Sequence, residues 1–216
     1  HNIQLDKGVS TLMLGGVTSA EINTLSFDDI SQVEDNDVSN TLINLEALRA
    51  TEDSNITISN VNVQSSSISM IRVSNVDQSK TIAQHLTLNN FAYTDSYFKF
   101  GDDLILTSQI SSETTFYVSI NNLKMENLNF ERGGNIIKLM HQVEQYLDLK
   151  NWVFRNISYG SIKVEAFNFE NGITTKVNID NCTVQNIDAL YNSFIHTLEG
   201  SNLKINNSSF YAVSSL

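Results

Sequence analysis

The sequence predicts an all-β fold, a parallel β-helix in which a single chain winds through about seven coils and lays the strands of each coil on those of the coil before. Two observations predict it. An asparagine recurs at Asn60, Asn90, Asn122, Asn151, Asn181 and Asn207, at intervals of 30, 32, 29, 30 and 26 residues, which is the period of a solenoid rung. Around each of them apolar and polar residues alternate with period two, the pattern of a strand with one buried face.

With the asparagine as position zero, the minus-four column reads Ile56, Leu86, Val118, Leu147, Val177 and Leu203, and the minus-two column Ile58, Leu88, Ile120, Leu149, Ile179 and Ile205. The residues between them are all polar. Past the asparagine the alternation resumes in the opposite phase, with Val61, Phe91, Leu123, Trp152 and Cys182 at plus one and Val63, Tyr93, Met125, Phe154, Val184 and Phe210 at plus three. A phase flip at one residue means a one-residue corner. Such a corner requires the left-handed backbone region, which asparagine tolerates better than other side chains. Stacked asparagines also hydrogen-bond to one another, so the expectation is an internal Asn ladder. A second polar column, Ser65, Asp95, Asn127, Asn156 and Asn186, stands at plus five, and Leu128, Ile157 and Ile187 turn inward directly after it. It marks a second corner. A degenerate first rung fits with Thr24 at zero and Ala20, Ile22, Leu25, Phe27, Asp29 and Ile30 in the matching columns.

The remaining segments supply a third strand. In residues 1–19 it runs around Leu12 and Leu14 before Gly15 and Gly16. In residues 31–53 it runs through Ile43 and Leu45, although Leu42, Leu45 and Leu48 also suit a short helix. Later rungs place it at Ile71 and Val73, at Phe98 and Phe100, at Ile137 and Leu139, and at Ile162 and Val164, with Ile136, Met140 and Val143 offering a helical alternative. The offset from the ladder asparagine varies here, so this part of the coil carries the insertions.

Residues 1–216 read as one β-helix domain, because the repeat leaves no room for a boundary. Proline is absent where roughly ten would be expected, consistent with strands whose N–H groups are all needed. A formal charge of −11 excludes a phosphate-binding surface, hence nucleic acid as a partner. One cysteine, Cys182, cannot form an internal disulfide, and it falls in an inward column. No apolar run is long enough to span a membrane. The chain opens on His1, and its last strand, around NLKINNSSFYAV, carries no polar cap. The expectation is part of a longer chain or a stack.

The repeated pattern I-x-I-x-N-[apolar]-x-[apolar]-x-[N/D/S]-[apolar] resembles the right-handed parallel β-helix of the pectate lyase-like superfamily, over nearly the whole chain. That resemblance implies the fold and leaves activity open, since lyases, glycosidases, adhesins, tailspikes and structural proteins share it. Glycosidases of this kind use an aspartate and a following Asp pair, to which Asp95 and Asp102-Asp103 correspond in type. The Gly-His-Gly and Arg-x-Lys motifs that accompany them there are missing. Asp95 is accounted for by the second corner, and Gly101-Asp102-Asp103 by a turn. His85, His141 and His196 lie in different columns and coils, and Glu34, Asp35 and Asp37 read as a solvated loop. No catalytic residue, metal or cofactor is assigned. His85, Tyr117, Tyr146 and Lys176 share the outward minus-five column, a row suited to touching sugar or a neighbouring chain.

The expected function is a non-enzymatic extracellular structural or interaction protein: a subunit of a surface layer, an adhesin or a filament. Its partners would be further copies, stacked end to end or laterally, and glycans. The alternative is a carbohydrate-active enzyme, a lyase or glycoside hydrolase, of the same fold. Five N-x-[S/T] sequons occur, at Asn55, Asn156, Asn181, Asn206 and Asn207, a number that 27 asparagines and 42 Ser plus Thr supply by chance. Asn55 and Asn206 are expected to carry sugar and Asn156 is ambiguous, whereas Asn181 and Asn207 are expected to be bare in shielded corners.

Overall fold

A computed structural model describes residues 3–5, 10–15, 17–32, 41–46, 53–74, 82–98, 104–108, 114–131, 135–140, 144–159, 167–170, 174–190, 195–197 and 202–215. Among them the chain forms strands and no helix, and every strand pair is parallel. A ten-stranded sheet contains the arms on either side of the first corner, a seven-stranded sheet contains the third strands, and Ile3–Leu5 pairs with Ile30–Gln32 in a two-stranded sheet. This is a parallel β-solenoid.

The register is the one that the alternation dictates. Leu86 lies on Ile56, Val118 on Leu86, Leu147 on Val118 and Val177 on Leu147, so each inward column is a stack of aliphatic side chains running along the axis. Together with the plus-one and plus-three columns they form one contiguous core from Phe27 to Ile187. Each such side chain, fully buried, is worth about 1.5–3 kcal/mol. Trp152 is buried, and its indole N–H donates to the Ile120 carbonyl at 3.1 Å. Phe98, Phe130 and Tyr159 stack face to face at 4.5 and 5.0 Å between centroids.

Both corners are left-handed in every rung. The first column (Thr24, Asn60, Asn90, Asn122, Asn151, Asn181, Asn207) has φ between 47° and 65°, and the second (Asp29, Ser65, Asp95, Asn127, Asn156, Asn186, Ala212) between 50° and 57°. Neither corner residue appears in the strand pairing, since Asn121 pairs with Asn89 and Leu123 with Phe91.

The asparagine ladder is external rather than internal. A left-handed residue at a convex corner points its side chain away from the core, and Asn60, Asn90, Asn122, Asn151 and Asn181 are all exposed. Each donates its side-chain N–H to the rung before: Asn90 to Asn60 at 2.8 Å, Asn122 to Asn90 at 2.8 Å, Asn151 to Asn122 at 3.1 Å and Asn181 to Asn151 at 2.7 Å. At the ends the partner changes. Asn60 donates to Asn23 and Asn207 to Asp180. The second column does the same from Asn127 to Asp95, Asn156 to Asn127 and Asn186 to Asn156. The expectation that Asn181 and Asn207 sit in shielded corners is corrected with it.

Two further expectations change, one third strand and the number of coils. Phe98 is not in a third strand; it ends the long strand Ile82–Phe98, and the third strand of that rung is Ile105–Ser108, in register between Ile71 and Ile137. Counting alternation forward from a corner cannot locate a strand that lies beyond an insertion. Phe100, Ile162 and Val164 lie outside the described residues, and the corresponding later strand is Phe167–Glu170, paired Phe167 to Ile137. The strands through Ile43 and Leu45 and through Ile137 and Leu139 form as expected, as Thr41–Glu46 and Ile137–Met140, while Leu48 and Val143 lie outside the described residues. Finally, the solenoid supports about four enclosed turns, not seven. Strands stack seven deep in the second sheet, but the span covered on both flanks runs from the Asn60 corner to the Asn181 corner, four turns further on. Beyond them Ile205 is 42% and Phe210 45% exposed.

Replacing Asn151 by alanine is expected to cost about 1–2 kcal/mol, because it forces an ordinary residue into the left-handed corner and removes two ladder contacts. Glycine at the same position keeps the corner and loses only the ladder, so it should cost less. Replacing the outward Lys150 should cost under about 0.5 kcal/mol. Urea denaturation of the three variants checks the order; equal losses would mean that the corner is not the sensitive element.

Candidate functional site

The outward minus-five column forms a continuous stack. Strand register sets His85 opposite Tyr117, Tyr117 opposite Tyr146 and Tyr146 opposite Lys176. The distance between neighbouring strands, about 4.8 Å, is also a favourable separation for flat rings, so the rings lie parallel. Centroids are 4.5 Å apart with planes at 4° for His85 and Tyr117, and 4.7 Å apart at 11° for Tyr117 and Tyr146. Lys176 closes the stack. Its Nζ sits 4.7 Å from the Tyr146 ring centroid and donates to the Tyr146 hydroxyl at 3.2 Å.

Two residues along each strand, the minus-three column is small and polar: Thr87, Ser119, Asp148 and Asn178, then Lys204. Asp148 is held on both oxygens, by Lys150 at 2.5 Å and by Asn178 at 2.7 Å. The hydrogen bond to Asp148 raises the Lys150 pKa, so this lysine stays charged beyond the ordinary range. The two columns bound an open groove of about 560 Å³ that runs along the axis from His85 to Lys204.

The structure separates the sequence candidates. His85 is in the stack; His196 pairs in register with Asn168 in the other large sheet; His141 lies outside the described residues. Asp95 occupies the second corner and accepts from Asn127 at 2.7 Å, away from the groove. Asp102, Asp103 and Glu34 to Asp37 also lie outside the described residues. Asp148 is the one carboxylate among the described groove residues, so they do not form the opposed carboxylate pair that glycoside hydrolysis uses. Among the described residues no group of three or more His, Cys, Asp and Glu is arranged to hold a metal ion.

Sequence reasoning missed the polar contacts of other outward columns. The Tyr97 hydroxyl donates to Glu131, which makes the phenol harder to ionise. Glu126 lies between Lys124 at 2.9 Å and Arg155 at 3.5 Å. Of these three contacts, two join residues about thirty positions apart and one joins residues two apart on one strand, and pairing the outward columns in the repeat frame would have flagged them.

No protein-family model matches the sequence, and no curated protein matches it. Among solved structures, a trypsin-treated form of QnrB1, a plasmid-mediated fluoroquinolone resistance protein, aligns at 12% identity over 93% of this chain and 90% of that one, with a TM-score of 0.16. A superposition that poor carries no argument about fold or function.

The one nucleophilic thiol is sealed off. Cys182 is buried between the strands Thr174–Asp180 and Thr183–Leu190, and burial pushes its thiol pKa up, against smaller opposing effects of hydrogen bonding with the Trp152 backbone and the Ser208 side chain. A thiol reagent should therefore modify the folded chain at least about 100-fold more slowly than the denatured one. Rapid labelling in the native state, followed by mass spectrometry, would show that this part of the solenoid opens.

Proposed function

We propose that the chain is a non-enzymatic extracellular protein with a structural or interaction role, a subunit of a surface layer, an adhesin or a filament, built on a β-helix of the pectate lyase-like kind. One observation carries this reading. Both corners of successive rungs are joined on the outside by hydrogen-bonded side-chain ladders, so the polar side chains of these two columns are engaged in holding one rung to the next. A ladder-braced solenoid suits a spacer or a scaffold. Self-association, end to end or lateral, belongs to the same proposal, and the exposed apolar residues Leu203, Ile205 and Phe210 are where it can be tested.

Incubation of the purified chain with a panel of neutral and acidic polysaccharides should release no reducing or unsaturated ends. Turnover of any of them, abolished by a substitution in the groove, would favour the carbohydrate-active reading instead. Sedimentation of the same chain should show concentration-dependent association, weakened by Ile205→Lys; a monomer at all concentrations would remove self-association from the proposal.

Exposure does not separate Asn55 from Asn156, Asn181 and Asn207, which all face solvent, and Asn206 is half-buried. Engagement does. Asn156, Asn181 and Asn207 donate to a neighbouring rung at 3.0, 2.7 and 3.0 Å, whereas Asn55 stands in the minus-five column, outside both ladders. Asn206, at minus one, is likewise in neither ladder, so in material from a glycosylating secretory host Asn55 and Asn206 should be the occupied sites. Glycopeptide mass spectrometry decides, and sugar on Asn181 with Asn55 bare would contradict it.

A further inference from the structure

We infer that the groove between the minus-five and minus-three columns binds a flat, rod-shaped aromatic anion, laid lengthwise along the solenoid axis. The groove crosses the rungs of His85, Tyr117, Tyr146, Lys176 and Lys204, and four strand spacings of about 4.8 Å make it roughly 20 Å long. It is open to solvent. Its wall and floor are fixed by the strand register, so a ligand meets a surface already in its bound form, which lowers the cost of ordering on association.

The class of ligand follows from what the rings still offer. His85, Tyr117 and Tyr146 stack on one another with planes within 4° and 11°, and Lys176 covers the outer face of Tyr146. Between neighbours the faces are used up. Edges and hydroxyls remain. A sugar packs its apolar face on an open aromatic face, and the middle of this row has none. A ring edge carries positive partial charge and prefers the negative face of another π system, in an edge-to-face arrangement. A flat conjugated molecule lying along the groove meets several such edges at once, one per rung.

Charge sets the sign and the direction. The chain has a net charge of −11, yet the far end of the groove carries Lys176 and Lys204. Among the described residues both contacts of Lys176 are to the neutral Tyr146, while the carboxylate of Asp148 is already held by Lys150 and Asn178. An anionic group is therefore drawn to the lysine end, with the flat body of the ligand along the rings.

Congo red, a linear bis-azo disulfonate, is a suitable probe, and thioflavin T is a flat cationic comparator. Calorimetric titration of the folded chain should give one Congo red per chain. Tyr117→Thr, which keeps a strand-forming residue, should weaken it about tenfold. The double variant Lys176→Gln with Lys204→Gln should weaken Congo red and leave thioflavin T unchanged or tighter, while Lys124→Gln, on another arm of the coil, should change neither. A measurement that needs no variant complements these: bound dye should slow acetylation of Lys176 and Lys204 relative to Lys124. Equal affinity of all variants, or no protection of the two lysines, would overturn the site. Displacement of the dye by oligogalacturonate at lower concentration than by any aromatic anion would overturn the ligand class and make the groove a glycan site.

Discussion

The left-handed corner is the constraint on which the rest of this molecule depends. A chain that coils with one-residue turns must place a side chain at positive φ twice per rung, at a cost of about 1–2 kcal/mol for an ordinary residue. Asparagine and aspartate lower that cost through local hydrogen bonding. Of the fourteen such residues described, nine are asparagine and two aspartate, so the composition of the corners answers directly to the backbone requirement. Because the corner residue drops out of strand pairing, it also resets the alternation. Inward and outward faces on both arms follow from its place in the sequence.

The ladders are a consequence of the corners, not an independent device. Once residues at zero stack in register, each primary amide has a donor on one side and an acceptor on the other, and a chain of side-chain hydrogen bonds forms along the axis. The amides lie in solvent, where each bond contributes little by itself. Their effect is to favour one register over a slip by one residue, which would turn the aliphatic columns outward. Thr24 and Ala212, the corners of the outermost rungs, depart from this chemistry, and at those rungs the inward columns are also less well covered.

The same register that builds the core builds the groove. Parallel stacking copies any outward column into a continuous row, whether or not the residues are alike, and a row containing two tyrosines, a histidine and a lysine becomes a wall of stacked rings ending in a cation. A functional surface on such a fold is read along columns, across residues about thirty positions apart. For that reason a motif read along the chain does not reveal it, and the candidate residues fall apart in space: Asp95 serves a corner, His85 belongs to the stacked row and His196 lies in the other large sheet.

From the sequence alone, the all-β class, the solenoid period, the two corners, the inward columns and the membership of the aromatic row were all legible, because each depends on local alternation and on the conformational preference of single residues. Third strands at Leu12, Ile43, Ile71 and Ile137 were legible for the same reason, while those at Ile105 and Phe167 were not, since they follow insertions that carry no period. Only the tertiary structure decided that the ladder faces outward, that the solenoid is enclosed for about four turns, and that rings and lysines line one groove. Those properties depend on which way a corner side chain leaves the coil and on what covers each rung, and neither is a property of any one stretch of chain.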